Sequence, residues 1–161
     1  MPSVLFVCSA NQCRSPLAEV ILRQLVAGEA PEETWRVASA GTWAIPGLPA
    51  TDYSQQEARR RGLDLSRHLS QPASCDLLAE FNLVLTMEKQ HQHELQTACP
   101  AQAGKVHRLS EAVGGEFDID DPHGGPQAGY RSLGETLASL LEDGLPAIRG
   151  LATAGRRPDG A

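Results

Sequence analysis

Cys8-Ser9-Ala10-Asn11-Gln12-Cys13-Arg14-Ser15-Pro16 follows the apolar run Ser3-Val4-Leu5-Phe6-Val7 and leads directly into a helical repeat. In that repeat Leu17, Ile21 and Leu25 recur every four residues with Glu19, Arg23 and Gln24 opposite, and Gly28 supplies a stop. Pro16 favours the first helical position, so the helix is expected to start there. A strand, a tight loop and a helix start together predict a cradle for an oxyanion. Successive amide N–H groups of such a loop can point inward, the helix N-terminus adds about half a positive charge, and Arg14 offers a planar bidentate fork. Cys8 stands at one end of the loop and Arg14 at the other. An ordinary thiol is only slightly ionised at neutral pH, but dipoles that hold an anion also favour a thiolate. Cys8 is therefore a candidate nucleophile aimed at phosphorus.

Outward from this loop, strand signals at Ser3 to Val7, Trp35 to Ser39, Asn82 to Thr86 and Lys105 to Arg108 alternate with helical ones. Helices are expected over Thr51 to Arg61, Ser74 to Glu80, Glu88 to Ala98 and from about Ala128 onward, where Tyr130, Leu133, Leu137, Leu140, Leu141 and Ile148 mark one face. Alternation of this kind predicts an α/β fold: a four-stranded parallel sheet in one domain, helices on both faces, and the loop of interest after the first strand. At 161 residues a single core suffices. The segments Gly41 to Pro49 and Gly114 to Pro126 read as loops at the carboxyl edge of the sheet, where open parallel sheets place ligands.

With 14 Lys and Arg against 20 Asp and Glu, the net charge of -6 disfavours nucleic acid or an anionic membrane as partner. The run Val4 to Val7 falls far below the ~18 apolar residues of a membrane span, and no basic stretch precedes it. A cytoplasmic location is expected, and with it Cys8, Cys13, Cys75 and Cys99 as thiols.

Cys-x5-Arg arises easily by chance, and a cysteine closing a strand is more often a small buried hydrophobe. The strand-to-helix junction, without the G-x4-G-K-[ST] or GxGxxG patterns of nucleotide sites, turns the reading toward phosphate. Expelling an alkoxide or phenoxide also requires a proton donor. Asp121, stiffened by Pro122, is the candidate, against the alternative that Asp118, Asp120 and Asp121 form a solvated acidic turn. Trp43 is either a wall for a substrate ring or a core plug, and His123 either flanks the leaving group or faces solvent. His91 and His93 point to different faces of an expected exposed helix and have no cysteine pair beside them, so no metal is assigned. Arg59, Arg60 and Arg61 read as a solvated helix end.

The residues Cys8 to Pro16 resemble the signature C-x-G-N-x-C-R-S-P of the low-molecular-weight protein tyrosine phosphatases, with Ala10 in place of the glycine. Ser39-Ala40-Gly41-Thr42 is similar to that family's second-strand ending, Leu83-Val84-Leu85-Thr86-Met87 to its third strand, and Asp121-Pro122 to its late acid dyad. The resemblance implies a phosphatase domain over residues 1–151; from Ala152 the chain turns small, polar and Gly/Pro-bearing, and 152–161 is expected to be a frayed tail. It implies a phosphocysteine on Cys8, with Asp121 as general acid and then base. The phosphate is held by the loop of Ser9, Ala10, Asn11, Gln12, Cys13, Arg14 and Ser15, and neither metal nor cofactor is needed. It further implies that Asn11 braces the loop, that Ser15 hydrogen-bonds the sulfur, and that Cys13 lies near enough to Cys8 for a reversible disulfide, if it is not simply a packed thiol.

Two departures bear on the substrate. Ala10 adds a Cβ where a left-handed backbone would cost about 1 kcal/mol. Gln12 matches neither the apolar residue of tyrosine phosphatases nor the threonine of the related arginine phosphatases, whereas Asp121-Pro122-His123-Gly124-Gly125 resembles the arginine branch. The expected activity is hydrolysis of a phosphorylated protein or small aryl phosphate, tyrosine first and arginine as the alternative. A loop that binds phosphopeptides without hydrolysing them is the third reading. Arsenate reduction would require two further cysteines a few residues apart, and Cys75 and Cys99 are too distant in sequence for that pattern.

Overall fold

Every residue of β1 (Ser3–Cys8) is buried in the computed structural model, which describes residues 1–154. The strand lies inside a four-stranded sheet of order β2-β1-β3-β4, formed with β2 (Arg36–Gly41), β3 (Leu83–Thr86) and β4 (Val106–Arg108). All pairings are parallel, and crossover helices cover both faces, which is why β1 is apolar without alternation. Val4, Phe6 and Cys8 pack against α1 (Arg14–Glu29), α2 (Asp52–Arg60) and the long α5 (Gln127–Ala154). Leu5 and Val7 pack on the other side with Leu78 of α3 (Cys75–Ala79) and Leu95 of α4 (Lys89–Ala98). The register aligns Cys8 with Gly41 and Val7 with Thr86, so the carboxyl ends of three strands reach one edge together.

Local chemistry sets most boundaries. Thr51 caps α2, its hydroxyl accepting the Ser54 amide at 3.3 Å, and Gly62 beyond the helix takes the left-handed φ of 74°. Gly28 does not stop α1. The helix runs through it to Glu29, and α1 begins at Arg14 rather than at Pro16. Strand β2 is displaced from the expected Trp35 to Ser39 toward Gly41. The arginines closing α2 are not merely solvated. Arg60 and Arg61 both grip buried Glu57, at 2.7 and 2.9 Å, and α5 crosses over that carboxylate at Gly134, where a Cβ would overlap it. Ala152 is buried and helical as far as Ala154, so the first three residues of the expected tail belong to α5, and the remaining seven lie outside the described residues.

Cys75 and Cys99 are joined in a disulfide, contrary to their expected reading as thiols. Sequence separation misled here. The start of α3 and the end of α4 pack side by side on one face of the sheet, bringing the two Cα atoms within 5.4 Å across a separation of 24 residues. Closing that loop restricts the unfolded chain, so reduction should lower the unfolding free energy by about 2–4 kcal/mol. Denaturant melts with and without dithiothreitol measure it, and Cys75→Ser in place of reduction should give the same loss.

Candidate active site

The loop between β1 and α1 is held from outside by its carbonyl groups. The carbonyls of Cys8, Ser9 and Gln12 accept the amides of Thr42, Trp43 and Thr51 at 2.9, 3.1 and 2.9 Å, and that of Asn11 lies 2.6 Å from His68 Nε2. With the carbonyls turned outward, the amides from Ser9 to Arg14 find no backbone acceptor among the described residues, which leaves an array of donors for an anion. Gly41 makes this seating possible, because a Cβ there would overlap the Ser9 carbonyl oxygen. The left-handed position of the loop is Asn11, at φ 58°, and not Ala10, so the expected strain at the alanine does not arise. Asparagine tolerates that region.

Asn11 is fully buried and ties the loop to its surroundings. Its Nδ2 donates to Ser15 Oγ at 2.9 Å and Ser39 Oγ at 3.0 Å, while Oδ1 accepts the Gln71 amide at 2.9 Å. Ser39 in turn donates to Glu19 at 2.6 Å. Ser15 Oγ, already accepting from Asn11, has one proton and two acceptors in reach, Cys8 Sγ at 3.0 Å and the Ala40 carbonyl at 3.3 Å. A hydroxyl pointed at sulfur stabilises the thiolate over the thiol.

Arg14 is 2% exposed, and its charge is met on every side. Nη1 donates to Glu88 Oε2 at 3.0 Å and to the Ile119 carbonyl at 2.7 Å, and Nη2 lies 3.7 Å from Asp121 Oδ2. One arm of the fork is therefore anchored and the other faces the site. The acid-bearing loop is docked and not a free solvated turn. The buried Ile119 donates to the Met87 carbonyl at 2.9 Å, and Asp118 accepts the Lys89 amide at 2.8 Å. Asp121 itself is 44% exposed and accepts the His123 amide at 3.0 Å.

Cys8, Ser9, Ala10, Gln12, Cys13, Arg14, Trp43, Thr51, Asp121 and His123 together line a cavity of about 140 Å³. A nucleophile, a cationic fork and a carboxyl group around one small hollow suit transfer of a phosphoryl group to sulfur with protonation of the departing oxygen.

The family model described as "Low molecular weight phosphotyrosine protein phosphatase" matches residues 3–149. The chain belongs to this family. It is 33% identical, over 92% of its length and 97% of the other, to the "Probable low molecular weight protein-tyrosine-phosphatase EpsP" of Ralstonia nicotianae. It is also 32% identical, over 86% and 91%, to the "Protein-arginine-phosphatase" of Bacillus subtilis. The crystal structure of the low molecular weight protein tyrosine phosphatase from T. tengcongensis superposes with a TM-score of 0.85 at 33% identity, covering 91% of this chain and 99% of that one. As a low molecular weight phosphatase, the chain is a hydrolase of phosphoric monoesters.

Around the mouth of this phosphatase, Trp43 is 65% exposed and lines the cavity, so it is not a core plug. His123 is exposed and lines the same cavity. Gln12 turns its amide away to the Pro49 carbonyl at 2.9 Å. Cys8 and Cys13 are both free and buried, and burial pushes the Cys13 thiol up to about 12, which keeps it protonated. Burial likewise raises Tyr130, packed beside it under α2.

Sequence reasoning missed Glu88 and His91. His91 is buried against Ser9, its Nε2 2.8 Å from Ser9 Oγ, although α4 was expected to be exposed there; His93 does face outward. A usable signal existed, since Glu88 follows the third strand by two residues and a carboxylate at the sheet edge is a natural partner for Arg14. His68 and Gln71, which hold Asn11, carried no signal beyond their polarity.

Proposed function

We propose that this phosphatase acts on phosphorylated proteins through Cys8, with phosphotyrosine as the preferred substrate. The single supporting observation is that Cys8, Arg14 and Asp121 line one cavity together with a loop whose amides have no backbone acceptor among the described residues. The Cys8 thiolate attacks phosphorus, the S–P bond forms as the P–O bond breaks, and Asp121 delivers a proton to the departing oxygen. Arg14 and the loop amides take the charge that develops on the equatorial oxygens. Water then attacks phosphorus, giving its proton to Asp121 as the S–P bond breaks, which regenerates the thiolate and releases inorganic phosphate. No helix among the described residues is long and apolar enough to cross a membrane.

The exposed indole of Trp43 at the mouth favours an aryl phosphate, since a flat apolar wall there can stack on a ring. A second reading, phosphoarginine, is favoured by the Asp121-Pro122-His123-Gly124-Gly125 loop and by the Bacillus subtilis relative. Phosphate release from tyrosine-, arginine- and serine-phosphorylated peptides of one sequence separates the two, and preferential release from phosphoarginine overturns the first. Asp121→Asn should slow phenyl phosphate turnover by about 10²–10⁴-fold while p-nitrophenyl phosphate, with its better leaving group, suffers less. Equal losses on both esters would remove Asp121 from the proton-donor role.

A further inference from the structure

His91 is 3% exposed at the third position of α4, and the chemistry above makes no use of it. Its Nδ1 lies 3.2 Å from the backbone nitrogen of Glu88. A backbone N–H only donates, so Nδ1 is the accepting nitrogen and the neutral ring carries its proton on Nε2. That Nε2 is 2.8 Å from Ser9 Oγ and 3.2 Å from Glu88 Oε2, and the same carboxylate oxygen takes Arg14 Nη1 at 3.0 Å. A single imidazole proton is thus shared between the residue that follows the nucleophile and the carboxylate that anchors the arginine.

We propose that His91 is a positioning residue for phosphate binding, effective only as the neutral Nε2–H tautomer. In that form the ring ties Ser9 and the Glu88–Arg14 pair to the start of α4; protonation keeps the Nε2–H but abolishes the acceptor at Nδ1, which dislodges the ring from the helix start and shifts the groups it holds. The inference rests on reading the Cys8–Arg14 loop as the phosphate site. Protonation places a second N–H, on Nδ1, against the Glu88 amide, so the bond that closes the helix start is replaced by two opposed donors. The groups around the ring are Glu88 and Glu94 of its own helix, Arg14 at the start of α1 and Asp118 of the acid loop. Burial and Arg14 favour the neutral ring while the three carboxylates oppose them, and the outcome is a pKa below the ordinary histidine value. At neutral pH the ring is uncharged, and the positioning is lost as pH falls.

Calorimetric titration with inorganic phosphate from pH 7.5 to 5 tests this on the wild type, His91→Gln and His91→Ala. The ionisation of phosphate itself is common to all three and cancels in their ratios. His91→Ala should bind phosphate roughly fivefold more weakly at pH 7.5, about one hydrogen bond's worth. His91→Gln, which keeps an N–H donor but does not titrate, should recover most of that loss. On acidification the wild type should lose affinity relative to His91→Gln, by up to about fivefold once the ring is charged. Adding Ser9→Ala to His91→Ala should cost less than the sum of the single losses, because the two residues share one bond. Wild-type binding by His91→Ala across the range, or parallel pH curves for the wild type and His91→Gln, overturns the proposal. If His91→Ala does not fold, the ratio of the wild type to His91→Gln still decides. The titration reads binding alone, so retained turnover in a Cys8 variant would defeat the nucleophile assignment without touching this result.

Discussion

Cys8→Ser should reduce phosphate release from p-nitrophenyl phosphate by at least about 10⁴-fold, with the fold and phosphate binding intact. A serine hydroxyl at this position is a far weaker nucleophile at neutral pH, and nothing in the site is placed to take its proton. The hydroxyl of Ser15, 3.0 Å from the sulfur, already accepts from Asn11 and donates its own proton, to the sulfur or to the Ala40 carbonyl, so it is no base. The inward amides and Arg14 are untouched by the substitution, so inorganic phosphate should still bind and still raise the melting temperature. Loss of turnover together with retained phosphate binding is the expected signature. Turnover that survives in Cys8→Ser would remove the covalent route and the function proposed from it.

Arg14→Lys should cost about 10²–10³-fold in kcat/KM although the charge is conserved. Arginine divides its fork between two tasks: one arm fixed by Glu88 and the Ile119 carbonyl, the other directed at the site beside Asp121. A lysine ammonium is a single point on a flexible stem and cannot hold the anchor and the substrate at once. Glu88 is the stronger attraction in the buried setting, so the ammonium should be drawn away from the phosphoryl oxygens. The expected pattern is a large fall in kcat with a smaller change in phosphate affinity and a melting temperature within a few degrees of the wild type. Full activity in Arg14→Lys would show that the bidentate geometry is dispensable.

The fold was largely legible because its elements are written in short-range patterns. The uninterrupted apolar run of β1 needs covering on both faces, and Leu17, Ile21 and Leu25 make α1 amphipathic whatever lies around them. Gly28 shows the limit of such signals: a glycine near a helix end reads as a stop, yet tertiary packing of Val26 into the core carries α1 past it. The same limit appears in Ala10, where the missing glycine draws the eye while the left-handed position, alone among the described non-glycine residues, falls at the neighbouring asparagine.

Composition and order along the chain were enough to set down a parallel α/β sheet, a strand-loop-helix anion cradle, and Cys8, Arg14 and Asp121 as its candidate reactive members. Those features depend on residues close in sequence or on which side of the sheet a strand must end. Three-dimensional packing alone decided that Glu88 clamps Arg14, that His91 reaches Ser9 across 82 residues, that Asp118 is docked, and that Cys75 meets Cys99. Each of these is a pairing between distant segments, and its energy depends on a separation of a few ångströms that no periodicity encodes. Local pattern fixes what a segment becomes, and only the assembled layers fix what its side chains touch.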